Sequence, residues 1–148
     1  PYKNGRLIFG SKEAGPLVPF GNYWRTGANA ATTFETSNDI IFNKEKLRAG
    51  KYRLYTIPNV KTWKVVLNSE ADKFFAISEP DYSKDILTIK VPSNSNLEES
   101  VEQFTIDFSK DSLGVKMNLK WMEYSIEQVR LESILLTHCL AKVAKISD

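Results

Sequence analysis

The sequence predicts an antiparallel β-sandwich, jelly-roll-like, of about eight strands with a C-terminal helix. Three observations lead there. Apolar and polar residues alternate with a period of two through most of the chain. Turn-forming residues break that alternation at spacings of roughly 8–12 residues. Close to the C-terminus the period changes to a helical one.

The elements follow in chain order. Residues Ala31 to Thr36 and Ile40 to Phe42 are short strands, with Ser37-Asn38-Asp39 as the turn between them. Ala49-Gly50 punctuates the approach to the next strand, where Tyr52, Leu54 and Thr56 alternate with Arg53, Tyr55 and Ile57. Pro58-Asn59 turns the chain toward Trp63, Val65 and Leu67, which alternate with Lys64 and Asn68. Leu87, Ile89 and Val91 alternate with Thr88 and Lys90 until Pro92, which lacks the N–H a ladder needs. Ser93 to Ser100 is a polar loop.

Phe104, Ile106 and Phe108 form one arm of a hairpin, and Val115, Met117, Leu119 and Trp121 form the other. Lys110-Asp111-Ser112 and Gly114 lie at its turn. Leu136, Cys139, Leu140, Val143 and Ile146 then fall at helical spacing, which predicts a helix over about 133–146, capped by Ser133. The start of this tail, near Val129 and Leu131, reads equally as a strand.

Composition bounds the function. The 148 residues form one domain, 1–148, with 42% hydrophobic and 26% charged residues. Those values exclude a disordered, collagen-like or membrane-spanning class. The net charge of +2 comes from 20 basic and 18 acidic residues that are interspersed, so no basic face for nucleic acid is expected. Cys139 is the single cysteine and His138 the single histidine. An intrachain disulfide is therefore impossible, and a His-rich or Cys-rich zinc site is not expected. Neighbouring side chains on a helix diverge, which argues against a Cys-His catalytic pair. No apolar run approaches the 18 or so residues of a membrane span. The chain begins at Pro1, so any signal peptide would precede it.

One segment has no period. Residues 17–31, Leu17 to Ala31, combine Pro19, Gly21 and Gly27 with Phe20, Tyr23 and Trp24. Long structured loops in small domains are commonly functional, and aromatic residues are depleted from disordered ones. Ligand-binding candidates are Trp24, Arg25, Thr26 and Asn29. Trp24 lacks the strand phase of Trp63 and Trp121, so it is expected near the surface, where an indole beside polar donors suits a sugar ring. Arg25 has two readings: a guanidinium that ties loop carbonyls together, or one that clamps an anionic or sugar ligand. Asn29 serves an Asx turn or donates to a ligand oxygen. Thr26 is as readily a strand-edge residue as a contact.

Gly5 to Gly10, Leu17 to Phe34, Leu47 to Pro58 and Trp63 to Asn68, taken in that order, resemble the DUF2911 family, and the likeness runs from the first residues to about Trp121. The family's name records an unknown function. The resemblance implies an all-β domain of bacterial, often exported, proteins at the periplasm or cell surface. The family usually has a Glu after Gly-Ala-Asn, where this chain has Ala30. An acid/base role at that position is therefore not expected.

Other routes to catalysis are thin. Glu98, Glu99 and Glu102 read as a solvated charge run. Asp81 and Asp85 read as turn residues. No nucleophile elbow, P-loop, dinucleotide fingerprint or calcium loop occurs. Lys51, Arg53 and Tyr55 share a strand face that only imitates a single-strand platform. No catalytic residue, metal or cofactor is assigned. The favoured function is a non-catalytic binding or accessory domain of the bacterial cell envelope. It would take a small molecule or carbohydrate through the loop 17–31. The alternatives are a hydrolase whose pocket assembles only in three dimensions, and a structural protein that forms a homodimer through the helix or an open sheet edge.

Overall fold

The structure, a computed structural model, describes residues 2–27, 30–72, 78–134 and 141–144. Two small ladders open the chain: β1 (Tyr2–Lys3) with β2 (Arg6–Leu7), and β3 (Phe9–Gly10) parallel to β4 (Val18–Pro19). Then come β5 (Thr32–Thr36), β6 (Ile40–Phe42), β7 (Glu45–Leu47), β8 (Gly50–Ile57), β9 (Thr62–Asn68) and β10 (Asp85–Pro92). They are followed by β11 (Val101–Asp111), β12 (Gly114–Met122), β13 (Tyr124–Ser133) and β14 (Ala141–Ala144). The first five-stranded sheet runs β10-β9-β8-β5-β14 and the second β11-β12-β13-β6-β7. Every neighbouring pair within these two sheets is antiparallel.

Each of the seven alternating runs read from the sequence is a strand. In β10, Leu87, Ile89 and Val91 are buried while Thr88 and Lys90 are exposed. One core fills the space between the sheets, with Phe34, Leu54, Val65 and Ile89 from the first and Phe42, Met117, Leu119 and Val129 from the second. Phe34 and Phe42 meet edge to face across it, ring centroids 5.3 Å apart. Burying such side chains supplies about 2 kcal/mol each from transfer alone.

The C-terminal helix over 133–146 is corrected. Ser133 ends β13, and Ala141–Ala144 is an edge strand paired with β5 in register Ala141↔Thr36 to Ala144↔Thr33. Residues 135–140, which include His138 and Cys139, lie outside the described residues. Ala141-Lys142-Val143-Ala144 alternates only in part, and the open edge of β5 offers ladder bonds that outweigh local spacing. The strand alternative at Val129 and Leu131 is the correct one, since both are buried in β13.

The sequence reading missed β7. Asn43 and Lys44 join it to β6 with φ of 50° and 77°, between the paired residues Phe42 and Glu45. That is the two-residue hairpin of type I′ geometry, which favours Asn-Gly. Lys44→Gly should therefore raise stability by about 0.5–1 kcal/mol, read as a higher urea midpoint. An unchanged or lower midpoint would contradict the strain at Lys44.

Candidate functional site

A sandwich strand with one face in water buries alternate residues. In β8 and β9 this rule fails. Leu54 and Thr56 point into the core, yet Arg53 and Tyr55 on the opposite face are each only 1% exposed. Val66 and Asn68 on β9 are buried on that same outer face. Two segments cover it. From the loop 17–31, Tyr23 lies on Tyr55 at 5.2 Å between ring centroids. From the β9–β10 connection, Ser78, Asp81 and Tyr82 reach across.

Register builds a polar row beneath this cover. Thr33 pairs with Arg53, Arg53 with Asn68, and Asn68 with Asp85, so four adjacent strands each place one polar residue on the outer face. Asn68 Nδ2 donates to Asp85 Oδ1 at 2.8 Å and to Asp81 O at 3.0 Å, and Tyr55 Oη donates to Asp85 Oδ2 at 2.8 Å. Arg53 and Asp85 stand two strands apart, roughly 9–10 Å in the ladder direction. Asn68 thus separates the cation from the anion in its own row.

Arg53 is left with little. Its Nη2 donates to Tyr23 Oη and, at 3.0 Å, to the Ser78 carbonyl. Its Nε and Nη1 are buried without a hydrogen-bond partner among the described residues. The guanidinium carbon lies 5.6 Å from the centre of the Tyr23 ring, a cation–π contact. Arg25 is half-buried, and its Nε is likewise buried and unpartnered. Burial raises the Tyr23 phenol above its ordinary value, opposed by the hydrogen bond from Arg53 and by the charges of Arg53 and Arg25. Burial and then Asp85 push Tyr55 well up, and burial with the Glu79 carboxylate pushes Tyr82 up to about 12. All three phenols are protonated at neutral pH.

The other sequence candidates take different places. Trp24 is 8% exposed and stacks on Trp121, rings 5.4 Å apart and 15° from parallel, within a cluster of Phe9, Trp63 and Phe104. This corrects the expectation of a surface indole. Trp24 lacks strand phase because it makes a single bridge to Thr56 (N–H to O 2.9 Å, and 3.0 Å in return), but that bridge still turns its ring inward. Thr26 is fully buried with φ of 60°, a left-handed conformation that costs a β-branched residue about 1–2 kcal/mol. Its hydroxyl lies 3.0 Å from Trp24 O and 3.0 Å from Thr56 Oγ1, while Thr32 Oγ1 donates to Thr26 O at 2.9 Å. Asn29 lies outside the described residues.

These contacts define the loop's geometry. Trp24 and Thr32 pair with Thr56 and Leu54, two residues apart on β8. Thr26, Thr32 and Thr56 therefore tie these two attachment points together as a neck. Thr26→Val should cost about 1–3 kcal/mol, because it removes the partner of the buried Thr56 hydroxyl and one of the two donors near Trp24 O without changing shape. The check is chemical denaturation; a loss below 0.5 kcal/mol (about the noise of such a comparison) would show that the neck is not tied there.

Sequence reading noticed Arg53 and Tyr55 on one face but missed the site. The adjacent Val65-Val66 pair was the available signal, since two apolar neighbours on a strand require both faces to be covered. Among the described residues, no group of three or more His, Cys, Asp and Glu side chains could hold a metal. No described helix is long and apolar enough to cross a membrane. A hollow of about 420 Å³ lined by Ser69, Glu70, Ala71, Asp72 and Lys84 adjoins the β9–β10 corner, but its Lys84–Glu70 pair at 2.9 Å is already satisfied. No curated protein and no solved structure matches the chain. The sequence model of a family described as a protein of unknown function (DUF2911) matches residues 1–129 of the 148, covering both the loop 17–31 and the polar row, and the chain belongs to that family.

Proposed function

We propose that the protein is a non-catalytic ligand-binding domain of the bacterial cell envelope. Its site is the covered outer face of the first sheet, reached through the loop 17–31. The observation that carries this reading is Arg53, a buried cation with unpartnered donors and no carboxylate in its own row close enough to meet it. Buried polar groups in native proteins are nearly always bonded, and an arginine cannot lose its charge. Tyr23 and Arg25 come from the loop, whereas Trp24 and Thr26 hold it in place. Carbohydrate is the class we favour, because Tyr82, 48% exposed, offers an aromatic face at the rim beside hydrogen-bonding groups. The protonated phenols suit donation to a ligand better than acid/base work. Placement in the envelope rests on the family resemblance alone.

Arg25→Ala tests the reading. The variant should melt within about 0.5 kcal/mol of wild type, as a half-buried loop side chain would. Glucose, N-acetylglucosamine, glucuronate and galacturonate serve as probes in a thermal-shift panel. At least one should stabilise wild type and leave Arg25→Ala unmoved. The reading falls if none stabilises wild type, or if Arg25→Ala alone loses several kcal/mol, as when a buried ionic network breaks.

A further inference from the structure

We infer that the ligand bears a carboxylate, which Arg53 and Arg25 receive beneath the ring of Tyr23. This rests on the binding reading above and adds the chemical class to it. Of the five N–H donors of Arg53, the two on Nη2 are used by Tyr23 Oη and Ser78 O. The one on Nε and the two on Nη1 are not. The Nε–H of Arg25 is a fourth unpartnered donor. Charge-assisted bonds to an oxyanion are the strongest use of such donors. Trp24 turns inward at its bridge to Thr56, so its neighbours Tyr23 and Arg25 fall on the outer side of β8, the side of Arg53 and Tyr55.

The charge of the surroundings selects a monoanion. Asp85 and Glu79 border the cluster, each engaged by a phenol: Tyr55 Oη at 2.8 Å and Tyr82 Oη at 2.8 Å. Two cations against two carboxylates leave the cluster near neutral. With Asp85 and Glu79 at the border, each added negative charge is opposed, so a singly charged carboxylate is favoured over a dianionic phosphate. Tyr23 is half-buried and lies over the guanidinium, so a ligand that reaches Arg53 must displace its ring. A ligand whose carboxylate enters there has its body against Tyr82. An acidic saccharide such as a uronate fits that description.

The test follows the Arg Nε–H resonances of the full chain by NMR while bare probes are titrated. Acetate should move the Arg53 and Arg25 signals and saturate in the millimolar range expected of so small a ligand. Methyl acetate, which lacks the charge, should bind at least tenfold more weakly. Arg53→Met should weaken acetate at least tenfold at Arg25, and Arg25→Gln, at a half-buried position, at least threefold at Arg53. The carboxylate is overturned if methyl acetate binds as well as acetate, or if inorganic phosphate moves the same signals at lower concentration. It is also overturned, with the binding reading intact, if glucose moves them and acetate does not. If neither acetate nor any of the four saccharides moves them, both readings fall.

Discussion

Arg53→Met leaves the unliganded protein as stable as wild type, or more stable by up to about 4 kcal/mol. The reason is the environment of the guanidinium. Its side chain is fully buried, two of its three nitrogens are unpartnered, and Asn68 keeps Asp85 out of reach. Removing a buried charge that no carboxylate in its row meets directly relieves a desolvation cost, and Met restores most of the lost volume. The groups that Arg53 now serves can turn to water, since Tyr23 is half-buried and Ser78 is exposed. A structural arginine predicts the opposite, a loss of about 3–5 kcal/mol. Urea denaturation of the two proteins decides between them. Stability gained at the expense of function is a recurrent property of binding and catalytic sites.

Trp24→Ala has the largest expected effect on folding, a loss of about 3–5 kcal/mol. Trp24 touches Phe9, Trp63, Phe104 and Trp121, with ring centroids between 4.8 and 6.0 Å. Phe104 and Trp121 belong to the second sheet and Trp63 to the first, so this indole joins the two layers. The cavity left by its removal could not be filled by one neighbour. The melting temperature should fall by on the order of 10 °C. A fall of only a degree or two would return Trp24 to the surface role that its lack of strand phase suggested.

Much of the fold was legible because alternation is a local property. Leu87, Ile89 and Val91 face one way whatever their partners are. The tail was misread because Leu136, Cys139 and Val143 satisfy helical spacing, while the partner that makes Ala141–Ala144 a strand, β5, lies a hundred residues earlier. The site was legible only in outline. The aperiodic segment did mark the loop that covers it, but the residue that carries the charge sits in β8. Arg53 looks like any outward strand residue until the register sets Asn68 beside it and Tyr23 above it. Which residues share a row across a sheet depends on pairing, and pairing is not written in the spacing of one strand.

The neck at Thr26, Thr32 and Thr56 has a consequence for how such a protein can change. Because Trp24 and Thr32 are each fixed to β8, the sequence between them can change while these two attachments hold the sheet in place. Under the proposed binding role, exchanges in that stretch would alter specificity while Arg53 stays fixed in β8.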